Sequence, residues 1–336
     1  MKKVLLTTSA LTLLAGAAAA DVGLSGHARI GISNSTAAVS ATDTTKVGTV
    51  NYLRNQITFT GSATSDGGLT LSTWTRYRQS ASSSVFSGTG AFSAPRLSVS
   101  NGAITLTAGN AGGAINNNAG IWGCGAIMWG CDDIVGSWDW ASTSSTGAGP
   151  NVVRLDMALG AASVSVSGGN GNDSEVAMSL PMGGGSVGIG YDAGAPTAAV
   201  AAVDAVAAVV AVAEVVSSAG AITTVGVASR AAVASAAAVA SAAAKPTIHM
   251  GYSGSMAGLS VNVRASQSDS KTGYVGSVTA PVGAGSVYVF AGKNLAQNNV
   301  YGLRYNQSLG GSVAMQAGMT SNNGDTKVGA GVNFSF

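Results

Sequence analysis

The chain has 336 residues, of which only 9% are charged, with 48 glycines and 6 prolines, whereas ordinary globular domains carry about 25% charged residues. The formal charge of +2 belongs to Lys2 and Lys3; without residues 1–20 the balance is 14 basic against 14 acidic side chains. Such neutrality excludes a nucleic-acid partner, which needs a basic surplus, and the low charge is unusual for a soluble domain.

The first element is a leader. Lys2 and Lys3 precede an apolar stretch from Val4 to about Ala15, and Ala18, Ala19 and Ala20 stand just before Asp21. This pattern predicts a secretory signal peptide over 1–20, cleaved on export, and it is too short to span a membrane. An exported, neutral chain rich in Gly, Ser, Thr and Asn leaves two classes: a transmembrane barrel or a repetitive surface adhesin.

Alternation separates them, because barrel strands turn apolar side chains to lipid and polar ones to the lumen over about 10 residues. In 22–34, Val22, Leu24, Ala28, Ile30 and Ile32 alternate with Ser25, His27, Arg29 and Ser33. In 67–79, Leu69, Leu71 and Tyr77 oppose Thr70, Ser72, Arg76 and Arg78. In 150–160, Val153, Leu155, Met157 and Leu159 oppose Arg154 and Asp156. Tyr301, Leu303 and Tyr305 oppose Arg304 and Asn306. The last strand puts Val328, Ala330, Val332, Phe334 and Phe336 on one side. Amphipathic helices repeat at three and four instead.

Sixteen strands are predicted in all: 22–34, 50–63, 67–79, 94–101, 103–109, 150–160, 161–168, 174–182, 185–193, 247–255, 258–267, 272–281, 285–293, 299–308, 312–320 and 326–336. Every second gap is a short Gly-rich turn, as at Asn101-Gly102, Gly183-Gly184 and Gly310-Gly311. The intervening gaps are longer and variable. Tight turns on one rim, long loops on the other and an even strand count predict an all-β, 16-stranded antiparallel transmembrane β-barrel over 21–336, with no free edge.

Two gaps stand out. The third long loop, 110–149, holds Trp122, Trp129, Trp138 and Trp140, the acids Asp132, Asp133 and Asp139, and both cysteines, Cys124 and Cys131. Exposed Trp is costly, so the loop is expected to pack against the barrel wall. The cysteines are exported and close in sequence, which predicts a disulfide between them. The second gap, 194–246, is an Ala/Val-rich low-complexity insert. Valines recur at 200, 203, 206, 209, 212 and 215, a period that makes no fixed helical face. A helical hairpin about Gly220, a segment without defined structure and a membrane helix within 198–218 all remain open for it.

The chain resembles the sixteen-stranded general porins, particularly those of alphaproteobacteria. ADVGLSGHARIGI at the start looks like their first strand, LTAGNAGGA (Leu106–Ala114) like their fifth strand entering the third loop, and VGAGVNFSF like their closing strand. The acidic Pro-Glu-Phe-Gly-Gly-Asp-type motif of many such loops is absent. The resemblance implies an outer-membrane homotrimer, each subunit with its own pore, and a third loop folded inward to narrow it. It also implies that Phe336 serves as the signal read by the outer-membrane assembly machinery.

The expected constriction follows. Lumen parity assigns Arg29, Arg54, Arg76, Arg78 and Arg96 to one basic patch on the first strands, with Arg78 and Arg96 nearer the long-loop rim. Asp132, Asp133 and Asp139 on the loop would face it and set up a transverse field. Arg154, Arg264 and Arg304 are read as solvated lumen residues. The expected function is passive diffusion of small hydrophilic solutes and ions through a water-filled channel. The alternatives are a substrate-specific channel and a non-conducting adhesin or structural barrel. No enzyme is expected, because no motif sets a nucleophile beside His27 or His249. No cofactor is expected either; Cys124 and Cys131 lack a zinc spacing, and loop carboxylates such as Asp269 or Asp325 offer calcium no EF-hand pattern.

Overall fold

The computed structural model describes residues 21–38, 46–83, 90–117, 152–169, 172–194, 210–216, 222–229 and 246–336. The leader and most of the third loop, with Trp122, Trp129, Trp138, Trp140, Cys124, Cys131, Asp132, Asp133 and Asp139, lie outside the described residues.

The main unit is a closed antiparallel barrel. Its strands are β1 (Asp21–Ala38), β2 (Lys46–Thr64), β3 (Thr70–Ser83), β4 (Gly90–Phe92), β5 (Arg96–Ser100), β6 (Ile104–Gly109), β7 (Val152–Leu159), β8 (Ala162–Gly169), β9 (Asn172–Met182) and β10 (Gly185–Asp192). After the insert come β13 (Thr247–Met256), β14 (Leu259–Ser268), β15 (Lys271–Val282), β16 (Gly285–Lys293), β17 (Asn299–Gly310), β18 (Val313–Asn322) and β19 (Asp325–Ser335). Each pairs with its neighbour, β10 pairs with β13, and β1 with β19 closes the ring. β4 and β5 both pair with β3 and count as one broken strand, so sixteen strands cross the wall. Every strand expected from alternation is present, with ends displaced by a few residues.

The alternation sorts side chains as expected. The outer face is apolar and open: Leu24 is 66% exposed and Ile30 56%. The other parity carries Ser, Thr, Arg and Asn. A barrel in lipid keeps its largest apolar area outward, because hydrocarbon takes the place of a protein core there. The short turns need left-handed backbone, as at Gly183 (φ 57°) and Gly184 (φ 75°).

Closure uses the last residue. Gly26 N donates to Phe336 O at 2.7 Å, and Phe336 N donates to Gly26 O at 2.9 Å. A β-carbon on Gly26 would collide with the Phe336 ring, which lies over the bare backbone there.

The break between β4 and β5 is a bulge. Tyr77 pairs with Phe92, but Trp74 pairs with Arg96, so three steps on β3 match four on the partner. Pro95 has no N–H for the ladder, and Ser93 N donates instead to Arg76 O at 2.9 Å. The extra residue flips the parity. Without it Arg96 would point into lipid.

The second unit, Pro196–Ala244, contains an antiparallel pair, β11 (Val210–Val216) and β12 (Ile222–Ser229). The helical option is not what these residues adopt. Both strands are rich in β-branched Val, Ile and Thr, which are stiff in helices and favour extended backbone.

Candidate functional site

The inner wall of β1–β6 is a ladder of cations. Arg29 sits opposite Arg54, and Arg54 opposite Ser80. One rung toward the short turns, His27, Gln56 and Arg78 stand in a row; the next rung holds Thr58 and Arg76. Below it, Trp74 sits opposite Arg96. The five arginines expected in one patch therefore share one face. Their order differs from the expectation: Arg78 lies one rung below Arg54, and Arg96 lies lowest, level with Trp74 at the first residue of β5.

Neighbouring groups hold these guanidinium groups. Arg78 Nε donates to Gln56 Oε1 at 3.0 Å. Arg54 lies 5.7 Å from the Tyr52 ring centre. Trp74 holds two at once, with Arg76 at 5.4 Å and Arg96 at 4.8 Å from its ring centre. Such contacts hold a flexible cation in place.

The wall of β7–β9 is built differently. Arg154 Nε donates to both oxygens of Asp156, at 3.0 and 2.9 Å, and its Nη1 donates to Gly112 O at 2.6 Å. Gly112 belongs to the root of the third loop, which enters the lumen and forms a short helix, α1 (Ala114–Asn117). Ala114 N donates to Ser167 Oγ at 2.7 Å, Ile115 N to Glu175 Oε2 at 2.9 Å, and Asn117 Nδ2 to Asp156 Oδ1 at 3.1 Å. Ala114 and Ile115 are fully buried against the wall with Ala177. Side chains of two strands, β8 and β9, thus satisfy backbone donors of an element too short to satisfy its own, and β7 holds its Asn117 side chain.

Arg154 is therefore an anchor, not a solvated lumen residue. Arg264 is buried, and Arg304 stacks on Tyr288 at 4.9 Å from the ring centre. His249 Nδ1 and Ser266 Oγ are 2.7 Å apart on adjacent strands, a pairing no sequence motif marked. Both residues are buried, as expected of a structural polar pair between adjacent strands. Glu175, Asp156 and Trp74 escaped the sequence reading as site residues. Lumen parity was the available signal, but it does not reveal what each meets across the lumen.

A family model for the Gram-negative porins matches residues 7–327. No curated protein matches the chain by sequence. Among solved structures, a triple mutant of the Rhodopseudomonas blastica porin superposes with a TM-score of 0.62 at 13% identity, covering 94% of this chain and 100% of that one. A five-substitution mutant of the same porin gives 0.62 and 13%, with coverage of 94% and 100%. A structure described under asymmetric conductivity of engineered proteins gives 0.61 and 14%, with the same coverage. At these identities the likeness is one of fold.

Proposed function

The chain belongs to the Gram-negative porin family, and we propose that its outer-membrane channel passes small hydrophilic solutes and ions by passive diffusion past a constriction. The observation that carries this is the sorting of one barrel wall into an apolar outer face and a charged inner face, with the third loop's root turned into the lumen. It acts as a channel rather than an enzyme. The arginine ladder supplies one side of the constriction, and Asp132, Asp133 and Asp139 are assigned the other by their charge and their place in the loop. Ions crossing a low-dielectric, oppositely charged gap are oriented and sorted by sign.

Three further features complete the reading. Residues 1–20 act as the cleaved export signal. Phe336 acts as the assembly signal, supported by its place at the closing seam. The barrel forms a C3 homotrimer through the outer face of the first and last strands. There a hollow of about 450 Å³ is lined by small and apolar residues, including Ile32, Ala317, Val328 and Ala330.

Single-channel recording in a planar bilayer tests the function. Large, ohmic, weakly selective steps are expected. Silence would favour a structural barrel, and ion conduction that one solute class shuts off completely would favour a specific channel. Mass measurement in mild detergent tests the trimer; a monomer alone would refute it.

A further inference from the structure

Beneath the arginine ladder lies a cavity of about 630 Å³ lined by residues of β1–β3, β5–β7 and Asn117. We infer that this cavity is a retention site for small hydroxylated anions, the chemistry shared by sugar acids and sugar phosphates. The inference rests on the channel reading above.

Three observations carry it. First, the charge is positive and presented. Arg96 and Arg154 both line the cavity. Arg154 is neutralised by Asp156, but Arg96 has no carboxylate partner among the described residues. The Trp74 face holds its guanidinium, so the fork meets an incoming anion at little entropic cost. Asp21, at the end of β1, is the one carboxylate in the described lining.

Second, the remaining wall is hydroxyl-rich. Ser98 Oγ and Thr107 Oγ1 pair at 3.1 Å, and Ser100 Oγ and Thr105 Oγ1 at 2.8 Å, each able to donate or accept. Such pairs can reorient to meet a polyol, which also both donates and accepts. Third, the volume lies within the range of about 300–1,000 Å³ typical of small-ligand sites.

The bulge ties these features together. Ser93, Ala94 and Pro95 turn Arg96 inward onto Trp74, and a regular strand would have left the cavity without its cation. A transverse field acts on any ion in transit. A held guanidinium beside hydroxyl pairs discriminates by shape as well as sign.

The test uses the full-length barrel in a planar bilayer with potassium chloride, adding gluconate, glucose 6-phosphate, glucose or acetate in turn. The expected result is a saturable fall in current with gluconate, glucose 6-phosphate or both, with glucose and acetate roughly tenfold weaker or more. Gluconate acting alone identifies the carboxylate source, and glucose 6-phosphate alone the phosphate source. Arg96→Gln should raise the half-saturating concentration about tenfold, and Arg96→Lys should raise it less. Equal effects of all four solutes would overturn the inference, and so would block unchanged in Arg96→Gln. The four-solute comparison on the unaltered chain decides the matter even if the variant does not assemble. Absence of any conductance would instead overturn the channel reading on which the inference stands.

Discussion

Arg54 and Arg154 are the same residue type, on the same inner face, in the same barrel. Arg54 sits in a ladder with Arg29, Arg78 and Arg76 within three rungs. Arg154 has Asp156 two residues along its own strand and the loop root above it. A carboxylate one rung away turns a field-setting cation into a structural clamp. The first wall gathers arginines on one face, which suits a place where solutes pass. The second wall pairs its charge and spends it on holding backbone. A field is expected where cations gather on one face, and rigidity where an acid beside a cation holds backbone.

The largest effect should come from the seam that makes both walls possible. Deleting Phe336 removes the Gly26 backbone pair and the ring lying over it. Gly26→Val drives a side chain into the same ring. Both should abolish most folded barrel, read as loss of heat-modifiable gel mobility. Normal assembly of both would show that closure does not depend on this residue.

Next in size is the ladder. Neutralising Arg54 and Arg76 as Gln should move the reversal potential in a salt gradient toward cations and enlarge the conductance. Folded barrel should still form, since each Gln keeps amide hydrogen-bonding groups on the polar inner face. An unmoved reversal potential would place these arginines away from the ion path. The first wall would then differ from the second in structure alone.

The clamp should respond in the opposite way. Glu175→Ala leaves the buried Ile115 N–H without its acceptor, at a cost of about 1–3 kcal/mol. Asp156→Asn leaves Arg154, only 12% exposed, without its charge partner. Current fluctuations should rise in both variants, with a smaller change in ion preference than in the ladder variants. Quiet channels with shifted selectivity would mean that the two walls do not divide their labour in this way.

The barrel was legible in the sequence because its rule is local. A period of two, Gly-rich turns and alternating gap lengths are written in consecutive residues, and lipid leaves little freedom in how they close. Arg29, Arg54, Arg76 and Arg78 could be assigned to the lumen by counting. Arg96 could be assigned too, but its height depends on a bulge at Pro95 that alternation alone does not display. The clamp was not legible. Asp156 was visible as a polar partner to Leu155 and Met157, yet its meaning depends on Asn117 arriving from 39 residues away. In 194–246 the alanine content suggested helix, while the β-branched residues of Val210–Val216 and Ile222–Ser229 pair as strands. Alanine content alone does not decide between helix and strand there.

The smallest effect, and the sharpest addition to the comparison, concerns how far the fixed root extends into the loop. The clamp is described as far as Asn117, and Cys124 follows seven residues later in the sequence, with Cys131 beyond it. They are the two cysteines of the chain. An exported protein meets an oxidising periplasm, in which two neighbouring thiols are driven to pair. Gly123, Gly125 and Gly130 beside them ease the tight turn such a bridge requires. On the chain-entropy model so small a ring adds at most roughly 2–3 kcal/mol, all of it to the ordering of the loop. Selectivity set by the ladder should therefore survive reduction nearly unchanged. The bridge would hold Trp122 near Trp129 and fix the direction of Asp132 and Asp133, extending the second wall's strategy of local restraint. Mass spectrometry of a fragment spanning 115–135, without reductant, should show a deficit of two hydrogens that reduction restores. Full alkylation of both thiols without reductant would end the restraint at the clamp, leaving Arg154, Asp156 and Glu175 to aim the loop unaided.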